Sequence, residues 1–320
     1  MSAPLPVICL AGPTGCGKTA AAIELAAALD AEIVNADSRQ VYADFPCITA
    51  QPSAEERAAC PHHLYGFLPT EARISAGRWA DMAVETIRRL RDSGKRALLV
   101  GGTGLYFQTL LRGIADIPPI APEISARWTL RLAQEGPERL HAELGRGDPA
   151  YAARIHPRDR QRIVRALEVL EATGRPFSWW HEHAMSAPLC AGPLFYLAPT
   201  LDWLEPRLAR RIDQMLAAGA LEEARAARRR NDDPAAPGWS GIGCAEVLAH
   251  LRGELSLEDC RALWLRHTRA YAKRQLTWFR GRQEAVAVPP GETAALLRRL
   301  RKAVDCAAFV QMRTLSSLLP

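Results

Sequence analysis

The chain has 320 residues, 48% of them hydrophobic and 24% charged, with a formal net charge of +6. That is enough for one large domain or two moderate ones with a full core, and it excludes a disordered or collagen-like chain. No apolar run approaches the roughly 20 residues of a membrane span, and no basic start with a long apolar stretch marks a secretion signal, so the chain is expected to stay in the cytosol.

In chain order, residues 7–11 form a compact apolar run followed by a glycine-rich turn. Residues 18–29 then repeat apolar positions at helical spacing, and residues 31–36 read as a second strand. Residues 80–91 are helical in pattern and stop at Gly94, and residues 97–100 make a third strand ending at Gly101-Gly102. Short strands alternating with helices predict a parallel sheet flanked by helices. The composition shifts at the proline-rich stretch 117–122, after which helical patterns follow without a convincing strand; residues 163–170 are the clearest, with Gly174 and Pro176 as the stop. Residues 195–197 return to a strand-like pattern, and residues 205–230 and 257–280 read as two long helices. The tail after Val288 carries no legible chemistry.

The eight cysteines are scattered singly, without a C-x-x-C pair, so a disulfide framework is not expected. Cys60-Pro61-His62-His63 could contribute to a metal site, but no second ligand pair at a zinc-like spacing accompanies it. A loop with two polar histidines is the favoured reading. Lysine occurs only at positions 18, 95, 273 and 302, so the positive charge is mostly arginine. Arginine suits phosphate contacts, and the basic balance permits a nucleic-acid partner without requiring one.

Gly12-Pro13-Thr14-Gly15-Cys16-Gly17-Lys18-Thr19 fits G-x-x-x-x-G-K-[ST], with a strand pattern before it and a helix pattern after it. Such a loop turns backbone N–H groups toward phosphate oxygens at a helix N-terminus. Lys18 would meet the terminal phosphate, and Thr19 would offer its hydroxyl to Mg²⁺. The usual acid of a nucleotide hydrolase is missing, because the strand ending at Val100 runs into Gly101-Gly102-Thr103-Gly104. Asp37 instead ends the second strand, at the edge where open α/β sheets bind ligands, and is a candidate general base.

Two basic segments remain. Arg158, Arg162 and Arg165 share a helical face, and Arg266, Lys273 and Arg280 recur every seven residues among Tyr271, Trp278 and Phe279. Each is compatible with a solvated helix face; arginine among aromatics also suits single-stranded RNA.

Together the motifs GPTGCGKT (12–19), DSRQVY (37–42), HHL (62–64), GGTGLY (101–106), QRIVRALEV (161–169) and KRQLTWFR (273–280) resemble the tRNA dimethylallyltransferase family, also called tRNA isopentenyltransferases, in its bacterial form. They occur in the family's order and span nearly the whole chain. The resemblance implies an α/β fold, a P-loop NTPase-like parallel sheet flanked by helices with a mostly helical insertion. Residues 1–114 would be the first part of the core, 115–191 the insertion, and 192–320 the core's continuation with basic C-terminal helices. It further implies a cytoplasmic, monomeric prenyltransferase that moves a dimethylallyl group from dimethylallyl diphosphate to the exocyclic amine of the adenosine 3′ of the anticodon in tRNA.

By that resemblance Asp37 takes the amine proton, while Lys18, Thr19 and Mg²⁺ neutralise the departing diphosphate. Thr103 also meets the diphosphate, joined by Arg207 and Arg211 and by the cradle residues Gly12, Pro13, Thr14, Gly15, Cys16 and Gly17. The anticodon stem-loop would meet Asp37, Ser38, Arg39 and Gln40. It would also meet Gln161, Arg162, Ile163, Val164 and Arg165, and then Lys273, Arg274, Gln275, Leu276, Thr277, Trp278, Phe279 and Arg280. Departures occur at residues 242–246 (IGCAE), where a basic and an aromatic group are lost, and at residues 44–52 (DFPCITAQP), where a lysine is lost. Two other readings share part of the pattern. A small-molecule kinase would leave GGTGLY and KRQLTWFR unexplained, and an ATP-gated RNA-binding protein would have no use for Asp37 as a base.

Overall fold

The computed structural model describes residues 3–300. Lys302, Cys306 and the last part of the expected core continuation lie outside the described residues. The chain divides into two compact units, one comprising the segments up to Leu111 and from Leu189 onward, the other Arg112–Pro188.

The first unit is built on a six-stranded sheet of β2 (Ile8–Ala11), β3 (Ala31–Asn35), β4 (His62–His63), β5 (Arg96–Gly101), β7 (Leu194–Leu197) and β8 (Ala285–Val288). A separate two-stranded pair joins β1 (Leu5–Pro6) to β6 (Cys190–Ala191). The order is β4-β3-β5-β2-β7-β8 and every pairing is parallel, with Leu10 opposite both Val100 and Phe195. Alternation along the strands feeds two cores. Ile8, Leu10, Ile33, Leu98, Val100 and Phe195 pack on one face with α1 (Lys18–Leu29). Cys9, Val34, Leu99 and Tyr196 pack on the other with α3 (Ala76–Asp92) and α4 (Gly104–Arg112). Both faces are covered, which is why the central strands β2 and β7 are apolar along their whole length rather than at alternate positions. The α/β fold expected from the sequence is therefore the fold observed.

Three details differ from the sequence reading. His62 and His63 are not in a loop: they pair with Ile33 and Val34 as the edge strand. The single helix read over 205–230 is two, α10 (Leu201–Ala217) and α11 (Ala220–Arg230), because Gly219 adopts φ +101° and ends the first. Residues 285–288, not recognised as a strand, complete the sheet beside β7. Between β3 and α3 lies the short α2 (Ala54–Ala59), closed by a Ser53–Glu56 capping box.

The second unit is helical: α5 (Pro122–Glu135), α6 (Pro137–Gly147), α7 (Pro149–Ala152), α8 (Arg160–Thr173) and α9 (Phe177–His183). Its core holds Trp128, Leu140, Leu144, Ile163 and Leu167. Gly174, at φ +67°, caps α8 where the sequence placed its stop. The chain then returns through β7 to α10 and α11, followed by α12 (Cys244–Leu251) and the 24-residue α13 (Leu257–Arg280).

Candidate functional site

The loops after β2, β3 and β5 emerge side by side at the carboxyl edge of the sheet, since those strands are parallel neighbours in the first unit. The loop after β2 is the glycine-rich one. Gly17 at φ +88° starts α1 in a backbone conformation that a side chain would strain, leaving the first-turn N–H groups of α1 directed into the loop. Lys18 Nζ donates to the loop's own Pro13 carbonyl at 2.7 Å, so the ammonium lies across the cradle.

Gln275 on α13 fastens this loop to the next one. Its Oε1 accepts the Thr14 N–H at 3.0 Å, and its Nε2 donates to the Gly102 carbonyl at 3.0 Å. The contact demands glycine at position 102, where a Cβ would lie 2.0 Å from Nε2. Gln275 is only 4% exposed. Expected as an RNA contact, it has both ends of its amide hydrogen-bonded inside the protein. Leu276 and Phe279 are likewise buried in the core rather than offered to RNA, because a helix packed on a sheet turns every third or fourth residue inward. Lys273, Arg274, Thr277 and Arg280 stay exposed, and half-buried Trp278 lies against Gly104 and beneath the Arg282 guanidinium.

The Asp37 loop is held from below by Asn35, fully buried at the end of β3. Asn35 Oδ1 accepts the Asp37 N–H at 2.8 Å, and its Nδ2 donates to the carbonyls of Asp37 and Leu64. The Asp37 carboxylate in turn accepts the Arg39 N–H at 2.9 Å. Thr103 supports the same loop from the side. Its hydroxyl accepts the Ser38 N–H at 2.9 Å and donates to Ser38 Oγ at 3.2 Å. Expected as a diphosphate contact, Thr103 makes two hydrogen bonds with Ser38. Burial, followed by the charge of Asp37, pushes the Tyr271 phenol up to about 12, so it stays a hydrogen-bonding O–H at neutral pH.

These loops open into a cavity of about 310 Å³ walled on its other sides by α10 and α13. Thr14, Asp37, Ser38 and Arg39 line one end; Ile48, Leu208, Ile212, Met215, Ile242 and Trp264 supply an apolar wall. Arg211 lines it too, and its guanidinium has no hydrogen-bond or ion-pair partner among the described residues. Burial lowers its pKa, opposed by the nearby charges of Cys16, Glu56 and Asp37. Arg207, one turn earlier on α10, is exposed, stacks 4.0 Å from the Trp203 ring centroid and does not line the cavity.

The two loops that depart from the family pattern are both braced as cavity wall. Glu223 on α11 accepts the N–H groups of Cys47 and Ile48 at 2.6 and 2.9 Å, fixing the turn that presents Ile48. Buried Glu246 accepts the Gly243 N–H at 2.6 Å and faces His267 Nδ1 at 2.5 Å, fixing the turn that presents Ile242. Arg39 donates to Ser240 Oγ and Pro237 O, and the Gln40 amide donates to the Thr49 and Ala50 carbonyls, so both side chains are engaged in this frame.

In the helical unit, Gln161, Arg162 and Arg165 are exposed and Val164 is half-buried, while Ile163 lies in that unit's core. At the edge strand, His63 Nε2 pairs with Glu32 at 2.6 Å and the Cys60 thiol faces the Ala31 carbonyl. The sequence did not reveal Asn35, Glu223, Glu246 or the apolar wall. For α13 a signal existed: Trp264, Thr268, Tyr271 and Gln275 follow i, i+4, i+7 and i+11, one face of a helix.

Residues 40–282 match the IPP transferase family. The tRNA dimethylallyltransferase of Desulfovibrio desulfuricans is 67% identical over 92% of this chain and 91% of its own length. That of Nitratidesulfovibrio vulgaris is 63% identical over 88% of this chain and 91% of its own. Among solved structures, the full-length tRNA isopentenylpyrophosphate transferase of Bacillus halodurans aligns with TM-score 0.70 at 28% identity, covering 96% of this chain and 99% of that one. A eukaryotic dimethylallyltransferase acting on tRNA aligns with TM-score 0.75 at 27% identity, over 99% of this chain and 80% of that one. With sequence and fold in agreement, the chain belongs to the IPP transferase family.

Proposed function

We propose that the chain transfers a dimethylallyl group from dimethylallyl diphosphate to the exocyclic amine of the adenosine 3′ of the tRNA anticodon, releasing diphosphate. The observation that carries this reading is one cavity holding a cradle residue, a carboxylate, an unpaired guanidinium and an apolar wall. A donor with a charged head and a hydrocarbon tail matches that division of polarity. A nucleoside triphosphate has no comparable use for the apolar wall.

In this reading the cradle N–H groups and Lys18 bind the diphosphate, and Arg211 gains there the anion it lacks. The adenosine amine bonds to the allylic carbon as the bond from that carbon to the diphosphate oxygen breaks. One amine proton passes to Asp37, which the Asn35 and Arg39 hydrogen bonds hold in place. The acceptor base must leave the anticodon stack to enter such a site.

Mg²⁺ fits the residues present. Thr19 stands half-exposed in the first turn of α1, and its hydroxyl has no hydrogen-bond partner among the described residues. No group of three histidines, cysteines or acids that could hold a metal occurs among the described residues, which suits an ion carried mainly by diphosphate oxygens and water. When bound, it would supply positive charge to the departing diphosphate. We read the enzyme as a cytosolic monomer; among the described residues no helix is long and apolar enough to cross a membrane.

The test incubates the protein with Mg²⁺, unmodified tRNA and radiolabelled dimethylallyl diphosphate, with labelled ATP in a parallel tube. Label in an anticodon-loop adenosine without ATP turnover supports the reading. ATP consumption without label in RNA refutes it in favour of a kinase.

A further inference from the structure

Thr268 lines the cavity from α13, is 9% exposed, and its hydroxyl is shut off from solvent with no hydrogen-bond partner among the described residues. A buried hydroxyl left unpaired is costly, and no described residue satisfies this one. It does not bond back to the preceding helical turn, as Thr109 does to Leu105 and Thr277 to Lys273 in the same unit. Threonine in a helix populates two side-chain rotamers, so one rotation about χ1 exchanges its methyl and hydroxyl and re-aims the hydroxyl.

Its level along α13 decides what it can meet. Gln275, seven residues on and roughly 10 Å along the axis at 1.5 Å per residue, marks the diphosphate end. Tyr271, one turn from Thr268 and one from Gln275, lines the cavity together with Asp37. Thr268 thus stands beyond the reacting centre, away from the cradle, so diphosphate oxygens are out of its reach. A prenyl tail has no acceptor for it. A base that presents its exocyclic amine to Asp37 carries a ring nitrogen on either side of that amine, N1 and N7, both acceptors.

We infer that Thr268 contacts the acceptor base, donating its hydroxyl to the ring nitrogen beside the amine that Asp37 deprotonates. The two side chains would then read the base edge together, one accepting from the amine and the other donating to the ring. This rests on the proposed transfer to adenosine.

The test uses the full chain with anticodon stem-loops carrying adenosine, 1-deazaadenosine or 7-deazaadenosine at the target position. Enzymes are wild type, Thr268→Val (same shape, no hydroxyl) and Thr268→Ser (hydroxyl kept). Wild type is expected to lose about tenfold in kcat/KM on one of the two deaza substrates, the order of one hydrogen bond. Thr268→Val should lose the same factor on adenosine, with no further loss on that deaza substrate and an unchanged KM for the prenyl diphosphate. Thr268→Ser should stay near wild type. Wild type indifferent to both deaza substitutions overturns the inference without recourse to any variant. So does a Thr268→Val effect confined to the prenyl-diphosphate KM, or one that simply multiplies with the deaza penalty. Failure of wild type to modify adenosine itself would instead refute the underlying function.

Discussion

The two units of this protein each bury a polar side chain that ties distant segments together, and they do so to different ends. In the helical unit Asp148, 1% exposed, accepts from the Tyr151 N–H and from both the N–H and the hydroxyl of Ser178, joining the start of α7 to α9. In the sheet unit Gln275 joins two loops that border an open cavity, and Asn35 holds a third. Asp148 completes a core around Trp128 and Leu140, whereas Gln275 and Asn35 fix loops that bring Thr14 and Asp37 to a cavity, where Asp37 Oδ2 has no hydrogen-bond partner among the described residues. A buried polar group reveals a site only when what it positions is still unsatisfied.

The largest effect expected from this contrast is at the unburied end of the network. Asp37→Ala should lower the transfer rate by about 10²–10⁴-fold, the range of a lost general base, while tRNA binding in a filter or mobility assay is retained. Retained transfer would show that the loop serves only to shape the cavity. Next, Asp148→Ala should cost about 3 kcal/mol of stability, because the Ser178 N–H and hydroxyl are left buried without partners. In a denaturant titration this should appear without any change in the prenyl-diphosphate KM of the folded enzyme.

Gln275→Leu sharpens the comparison, since it keeps the volume but orphans the Thr14 N–H and the Gly102 carbonyl. A loss of about 2 kcal/mol together with a raised prenyl-diphosphate KM is expected. A raised tRNA KM with the donor KM unchanged would mean that the amide reaches RNA after all. The smallest effect concerns the surface of the helical unit. The hydrogen bond from Arg131 lowers the pKa of Glu135, and the Glu138 backbone N–H, then Arg158, lowers that of Glu138. A carboxylate lowered in the folded state stabilises above its ordinary value and loses that contribution as pH falls through the lowered one. Thermal melts should therefore show a slight loss of stability on acidification from pH 5 to pH 3, reduced by 1 M salt.

Much of the site was legible in the sequence because its backbone chemistry is local. The cradle needs glycines, a lysine and a threonine at fixed spacing within one turn, and Asp37 needs only to end a strand. The two histidines of β4 were misread as a loop because an edge strand of two residues carries no periodicity. Arg207 and Arg211 could not be separated on sequence, although one turn of α10 puts the first on the surface and the second in the cavity. The same limit applied to 161–165 and 273–280, whose motifs mix exposed basic residues with Ile163, Gln275, Leu276 and Phe279.

Taken alone, the sequence determined the parallel α/β class, the glycine-rich loop between a strand and a helix, the position of Asp37 after a strand and the family resemblance, because each depends on near neighbours in the chain. Tertiary structure alone decided that Gln275 bridges loops 261 and 173 residues away, that Thr103 supports Ser38, that Arg211 and Thr268 line one cavity, and that the Thr268 hydroxyl is buried without a partner among the described residues. Those facts depend on which helix face meets which strand edge. That is set by packing between segments far apart in the chain, and no spacing within a motif records it.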